Sequence, residues 1–357
     1  MAIRAAPTLT PTAISPAPAA STSVDPIIEA RGLVKRYGTA IAVDGIDLAV
    51  RPQEIFGILG PNGAGKTTTL EMIEGLRPPD GGTIRVAGLD PVTQGEAVRR
   101  LIGVQLQSTA LFDYLSAAEL IELFAGLYGV DGSAARITTL LDLVDLGEKR
   151  NARFAQISGG QRQRLAIAIA LVNRPTVAFL DEPTTGLDPQ ARRALWDTVR
   201  GIRAEGTTVV LTTHYMEEAE ALCDRVAIMD RGRVIACDTP EALVRELGMA
   251  ATVRAIVAAG SLPSTALATL PGVIDAADGA SDQPAVRLRT TDAQATMVAL
   301  LDLAGRHGVT LSGLSSTQAN LEDVFLSLAG HQYETGETSE TKAQDIAASR
   351  GRRRRRG

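Results

Sequence analysis

The sequence predicts an α/β fold: a mostly parallel core sheet with helices on both faces. An antiparallel β subdomain, a helical subdomain and a small C-terminal α+β domain are added to it. Three observations predict this. The runs EIFGILG, TVAFLDEP and TTVVLTTH are apolar almost throughout, as strands buried on both faces are. They alternate with helical stretches, the pattern of parallel strands joined by crossover helices. Beyond Gly248 the text changes to alanine-rich segments separated by turn clusters such as GASDQP, which marks a second unit.

Taken in order, IIEARGLVKRYG and IAVDGIDLAV alternate apolar and polar residues around turn residues, as half-buried antiparallel strands do. EIFGILG then feeds a glycine-rich loop and the helix TTTLEMIEGL, which RPPDGG stops. From about 108 to 157 the pattern is helical, and Ser116 with Glu119 forms a capping box ahead of LIELFAGLYG. The helix QRQRLAIAIALV leads into the second buried strand. The later part reads as strand, helix, hairpin, the helix TMVALLDLAG, a strand and LEDVFLSLAG. The expected division is a tail over 1–26, a large α/β domain over 27–248, an accessory domain over 249–330 and a second tail over 331–357.

Composition narrows the function classes. The 357 residues are 45% hydrophobic and 22% charged, an ordinary globular balance able to bury a core. Aromatics make up 3%, too few for stacking on single-stranded nucleic acid, and a net charge of −5 gives no general pull toward DNA or anionic lipid. Cys223 and Cys237 lack metal-ligand spacing and read as packing residues of a reducing compartment. No apolar run approaches the roughly 18 residues of a membrane span, so any span is expected on another chain. Pro7, Pro11, Pro16 and Pro18 break up the N-terminal stretch, which reads as a disordered tail and not a secretory signal. Arg352 to Arg356 follow acidic Glu334, Glu337, Glu340 and Asp345, as in a solvated tail.

The chemistry is concentrated in GPNGAGKTT. Gly60, Gly65, Lys66 and Thr67 stand at the spacing of a phosphate-binding loop, with Pro61, Asn62, Gly63 and Ala64 between them and Thr68 after. Glycines let successive backbone amides point at phosphate oxygens, and the following helix adds its positive end. Lys66 should reach the β- and γ-phosphates, and the Thr67 hydroxyl should ligate Mg²⁺. Asp181 and Glu182 end the strand VAFL. A carboxylate at that strand end holds Mg²⁺ in such proteins, and Glu182 can deprotonate the attacking water. In ISGGQ, the residues Ser158, Gly159, Gly160 and Gln161 open a helix whose bare N-terminus is a second anion-binding surface.

Together GPNGAGKTT, ISGGQ, FLDEP, GLDP and TTH, in this order and spacing, resemble the ATP-binding cassette (ABC) ATPases over about residues 27–248. The resemblance implies a P-loop nucleotide-binding domain. It also implies ATP and Mg²⁺ sandwiched between two copies of the chain, each phosphate loop facing the partner's Ser-Gly-Gly-Gln. Carried over by motif, Tyr37 stacks on adenine, and Gln107 senses the γ-phosphate and contacts Mg²⁺, with Gln105 as the competing choice. Glu182 is the base, Asp188 bridges the dimer and His214 holds the γ-phosphate. Ile157, where leucine is commoner, is expected to be neutral.

One cassette without a span resembles the separate ATPase subunit of a transporter, working with a transmembrane permease from the cytoplasmic face of the membrane. NLEDVFLSLAG further resembles the ending of daunorubicin-resistance-type export ATPases, which implies export of drugs, antibiotics or lipids; it also fits an amphipathic helix packed on its own domain. The alternative is a soluble cassette ATPase acting on ribosomes or DNA. Those usually carry two cassettes or a long coiled-coil insertion, and neither is present here, so no nucleic-acid partner is expected.

Overall fold

The computed structural model describes residues 25–105, 112–257, 262–278 and 285–329. Gln107, residues 1–24 of the expected tail over 1–26, and the whole expected tail over 331–357 lie outside the described residues. The chain divides into two compact units between Leu243 and Val244.

In the first unit, β1 (Ile28–Tyr37) and β2 (Ala40–Val50) form an antiparallel pair. After β3 (Ile55–Leu59) and α1 (Lys66–Ile73), β4 (Gly81–Val86) joins the far edge of β1, giving the order β2-β1-β4. Next come α2 (Gly95–Leu101), β5 (Ile102–Gln105), α3 (Ala117–Tyr128), α4 (Ala134–Leu143) and α5 (Gly159–Ala170). The expected box caps α3: Ser116 Oγ accepts from Glu119 N at 3.3 Å while Glu119 accepts from Ser116 N at 2.7 Å. The chain continues through β6 (Val177–Asp181), α6 (Pro189–Ala204), β7 (Thr208–Thr213), α7 (Met216–Leu222), β8 (Arg225–Asp230), β9 (Arg233–Asp238) and α8 (Pro240–Glu246).

Six of these strands form the central sheet in the order β5-β6-β7-β3-β8-β9. All neighbours run parallel except the hairpin of β8 and β9. Every residue of β3, β6 and β7 is buried, including Asp181, Thr208, Thr212 and Thr213 among the apolar ones. One core joins the two sheets: Leu33, Val43 and Ile46 pack in the same cluster as Phe56, Ile58, Phe179 and Met229. That shared core is the scaffold on which the loops at the strand ends are held.

The second unit contains β10 (Ala251–Ile256), α9 (Ser264–Ala268), β11 (Val273–Asp278), β12 (Ala285–Thr290), α10 (Ala293–Arg306), β13 (Ser312–Gln318) and α11 (Leu321–Ala329). Its antiparallel sheet has the order β11-β12-β10-β13, a split βαβ arrangement. Val253, Ala255, Val286, Leu288, Leu300 and Leu303 fill its core. The LEDVFLSLA helix, α11, buries Leu321, Val324 and Phe325, in line with its amphipathic spacing.

Glu74, which closes α1, is 4% exposed. Burial first, then the carboxylates of Asp181 and Glu71, push its carboxyl up to about 8 from 4.5. The folded chain therefore keeps a proton that the unfolded chain releases. The group favours folding least above about pH 8, and its penalty fades as pH falls toward 4.5. Glu74→Gln should flatten the loss of stability between pH 5.5 and 8, measured by denaturant unfolding. An identical pH profile in the variant would show that Glu74 carries no such linkage.

Candidate nucleotide site

β7 lies between β6 and β3, so the carboxyl ends of three adjacent strands open on one place. The register sets Asp181 opposite Thr212 and Leu59 opposite Thr213. In open α/β sheets this edge is where ligands bind.

The phosphate loop starts after β3 and is pinned to its neighbours. Gly60 N donates to Thr213 O at 3.3 Å, and Gly232 N donates to Ala64 O at 3.0 Å. Two glycines are sterically required. A Cβ at Gly60 would sit 2.3 Å from Met229 O, and one at Gly65 would sit 2.4 Å from Ala42 O. Gly65 also has φ 98°, a conformation open mainly to glycine, and this turns the chain into α1. Asn62 and Gly63 are exposed at the crest, Pro61 and Ala64 are buried, and Thr67 and Thr68 are half-buried on the first turn.

The Lys66 side chain is buried and its ammonium is fully engaged. Nζ donates to Gly60 O at 2.9 Å and Pro61 O at 3.2 Å, and lies 3.3 Å from Glu182 Oε1. Thr67 Oγ1 donates to the Asp181 carboxylate at 3.2 and 3.3 Å. Thr212 Oγ1 donates a short hydrogen bond to Asp181 Oδ1 and accepts from Glu182 N at 2.9 Å. A threonine hydroxyl and a carboxylate in contact are hard oxygen donors, the set that fits Mg²⁺ with its remaining positions left to water and phosphate. Among the described residues no cluster of three or more His, Cys, Asp or Glu is placed to hold a metal.

Glu182 has φ 46°, left-handed for a residue with a side chain, at a cost of roughly 1–3 kcal/mol. Thr212 on its amide and Thr185 N on its carbonyl, at 3.2 Å, hold it there. Its carboxylate thus points away from the Asp181 side and meets Lys66, His214 Nδ1 at 3.4 Å and Thr185 Oγ1 at 3.2 Å. His214 first, then Lys66, outweigh partial burial and hold this carboxyl at about 2. It is ionised throughout the neutral range. The stability it adds is present above pH 4.5 and is lost as pH falls toward 2.

The remaining residues singled out by sequence are distributed as follows. Tyr37 ends β1, 43% exposed, with the Arg77 guanidinium 5.3 Å from its ring centre. Gln105 ends β5, next to Leu180 of β6, and is buried. Asp188 caps α6, accepting from Gln190 N and Ala191 N, both at 2.9 Å. The expectation of a bare N-terminus at α5 needs correcting. Ser158 Oγ accepts from Gln161 N at 3.3 Å and Gln161 accepts from Ser158 N at 3.0 Å, a second capping box. It leaves the Gly159 and Gly160 amides as the donors available to an anion. Ser158 and Gly159 are exposed, and the Ser158 and Gln161 side chains accept from each other's backbone amides, not from the phosphate loop. Thr212 and Thr185, which tie the acidic residues, escaped the sequence reading: strand register brings Thr212 there, and the turn after Glu182 brings Thr185.

A phosphate loop after a buried central strand, with Asp-Glu and histidine at the two next strand ends, defines a P-loop nucleotide hydrolase. Comparison with known proteins narrows this. The ABC transporter family model matches residues 43–185. The daunorubicin/doxorubicin resistance ATP-binding protein DrrA of Streptomyces peucetius is 41% identical over 90% of this chain and 98% of its own. A Nod factor export ATP-binding protein I of Ralstonia nicotianae is 38% identical over 86% of this chain and 95% of its own. Among solved structures, an ATP-binding subunit of an ABC transporter aligns with TM-score 0.56 at 31% identity, covering 62% of this chain and 93% of that one. A dimeric ATP-binding cassette bound to ADP and Pi aligns with TM-score 0.53 at 28% identity, covering 59% of this chain and 98% of that one. The chain belongs to the ABC transporter family as an ATP-hydrolysing subunit.

Lys66→Ala removes the buried cation of the glycine-rich loop. Nucleotide affinity should fall by roughly 1.5–3 kcal/mol, about ten- to a hundredfold, the worth of hydrogen bonds to a charged group. Titration with a fluorescent ATP analogue measures this, and unchanged affinity would take Lys66 out of phosphate binding.

Proposed function

We propose that the chain powers an exporter of a drug, antibiotic or lipid by closing on ATP as a pair of copies and reopening after hydrolysis. The contact of Lys66, Glu182 and His214 in one network, with Ser158 and Gln161 outside it, carries this reading. Tyr37 stacks on adenine, the loop amides of Gly60 to Thr68 cradle the phosphates, and Lys66 leaves Glu182 for the β- and γ-oxygens. Thr67 and Asp181, with Gln107, hold Mg²⁺, which neutralises charge between the phosphates when bound. Losing Lys66 to the phosphates raises the proton affinity of Glu182, so the carboxylate becomes a competent base for water when ATP arrives. His214 holds the γ-phosphate, and Ser158, Gly159, Gly160 and Gln161 of the partner copy cover it. Asp188 meets the partner across the same seam.

The membrane part is proposed on another chain, a separate permease, because no described helix is long and apolar enough to cross a bilayer. The chain would then sit peripherally on the cytoplasmic face. The printed functions of its relatives, drug resistance and Nod factor export, support export over a ribosome- or DNA-directed role.

Glu182→Gln should keep ATP binding and lose nearly all turnover, because an amide takes no proton. With ATP it should accumulate as a dimer on size-exclusion chromatography and bring a polytopic membrane protein with it from detergent extracts. Normal turnover would remove Glu182 as base, and recovery with ribosomal RNA or DNA would replace the transport reading.

Sharing of the sites between copies has its own test. Ser158→Arg and Lys66→Ala should each be inactive as homodimers. A purified heterodimer of the two pairs one intact loop with one intact Ser-Gly-Gly-Gln, and should recover ATPase activity well above the two homodimers. No recovery, together with no crosslink from Ser158 to the partner's loop, would place the site within one chain.

A further inference from the structure

Near the end of β7, one hydroxyl touches both acidic residues of the site. Thr212 is fully buried, at 0% exposure, and follows the buried apolar run Val209, Val210 and Leu211. A valine of the same shape would fill this place in a central strand without burying a polar group. Packing alone therefore does not call for threonine.

A threonine hydroxyl has one hydrogen to give and lone pairs to receive. Here the hydrogen goes to Asp181 Oδ1, and a lone pair accepts from Glu182 N at 2.9 Å. The first bond holds one carboxylate oxygen from within the sheet. Thr67 Oγ1 also reaches this carboxylate, 3.3 Å from Oδ1 and 3.2 Å from Oδ2. If the Thr67 hydroxyl turns to a metal, the Thr212 bond remains on Oδ1 and leaves Oδ2 to face the ion or its water. The second bond holds the amide of a residue at φ 46°, a backbone that its neighbours must fix. With that amide held, the Glu182 carboxylate meets Lys66 Nζ at 3.3 Å and His214 Nδ1 at 3.4 Å.

We propose that Thr212 is a positioning residue for ATP hydrolysis, its one hydroxyl aiming Asp181 at Mg²⁺ and Glu182 at the attacking water. This rests on Asp181 and Glu182 having the roles given above. Thr212 does not touch the nucleotide; it acts through its two bonded partners. Its loss should leave the nucleotide contacts of the phosphate loop largely intact, while weakening the metal position and slowing the chemical step. Groups that orient metal ligands from behind are typically worth about ten- to a hundredfold in metal affinity or activity.

The test uses the full chain, with Mn²⁺ as a paramagnetic probe of the metal position. Thr212→Val removes the hydroxyl and keeps the shape. Mn²⁺ affinity, measured by electron paramagnetic resonance with a non-hydrolysable ATP analogue present, should fall about ten- to a hundredfold. At saturating Mg²⁺, kcat should fall by about tenfold or more, while analogue affinity without metal stays within about twofold. Thr212→Ser keeps donor and acceptor and should restore most of both losses. A merely structural role would lower Tm while leaving Mn²⁺ affinity and kcat per folded molecule unchanged, and that outcome overturns the proposal. An equal fall in metal-free affinity would show that the whole loop had shifted, and overturns it too. Should Thr212→Val not fold, Thr212→Cys, a weaker donor, should show smaller losses in the same direction; parental values would overturn the proposal equally. Normal hydrolysis by Glu182→Gln would remove the site assignment itself. Parental Thr212→Val values beside an inactive Glu182→Gln would sink this inference alone.

Discussion

An ammonium group at 5% exposure must be compensated where it lies, and Lys66 sets the terms for everything around it. Two carbonyls of its own loop and the Glu182 carboxylate supply that compensation. They hold Lys66 against its own loop, while the ammonium in turn helps keep the Glu182 carboxyl low. In the mechanism proposed above, a phosphate would compete for the lysine and free that carboxylate, linking binding to activation through one ion pair.

The surrounding architecture keeps that pair in place. β7 sits between the strand feeding the loop and the strand ending in Asp181, and its last residues are hydroxyls where a core strand would ordinarily be apolar. Thr212 holds the Asp181 carboxylate and the Glu182 amide together, and Thr213 holds Tyr215. Through them a displacement of either turn reaches the other. The left-handed backbone of Glu182 belongs to the same arrangement: strain at a functional residue persists only because its neighbours over-determine it. The capped starts of α5 and α6 contrast with this cluster. Ser158 and Asp188 satisfy their own helices and stand exposed.

Much of the fold and site was legible from residues alone. EIFGILG and TVAFLDEP are largely apolar and TTVVLTTH is β-branched through its middle, the text of strands buried on both faces, and β3, β6 and β7 are such strands. The capping box at Ser116 and the alternation of strands and helices in the second unit followed from local spacing, which acts over a few residues and needs no partner. The glycines of GPNGAGKTT announced a loop where a side chain does not fit, and Gly60 and Gly65 have backbone oxygens 2.3 and 2.4 Å from where a Cβ would sit.

What the sequence determined by itself was therefore local: which stretches are strands or helices, where helices begin, and which residue types can bind a phosphate. Tertiary structure decided which of them meet. Asp181 stands opposite Thr212, and Glu218 reaches Trp196 on another helix, only because β6 and β7 pair in one register and α6 packs beside α7. The state of Glu182 was likewise beyond the text, for a carboxyl at about 2 reflects His214 and Lys66, which are 32 and 116 positions away from residue 182 in the chain and 3.4 and 3.3 Å away in space. Coulomb energy depends on that distance and on burial, and neither is written in the order of the residues.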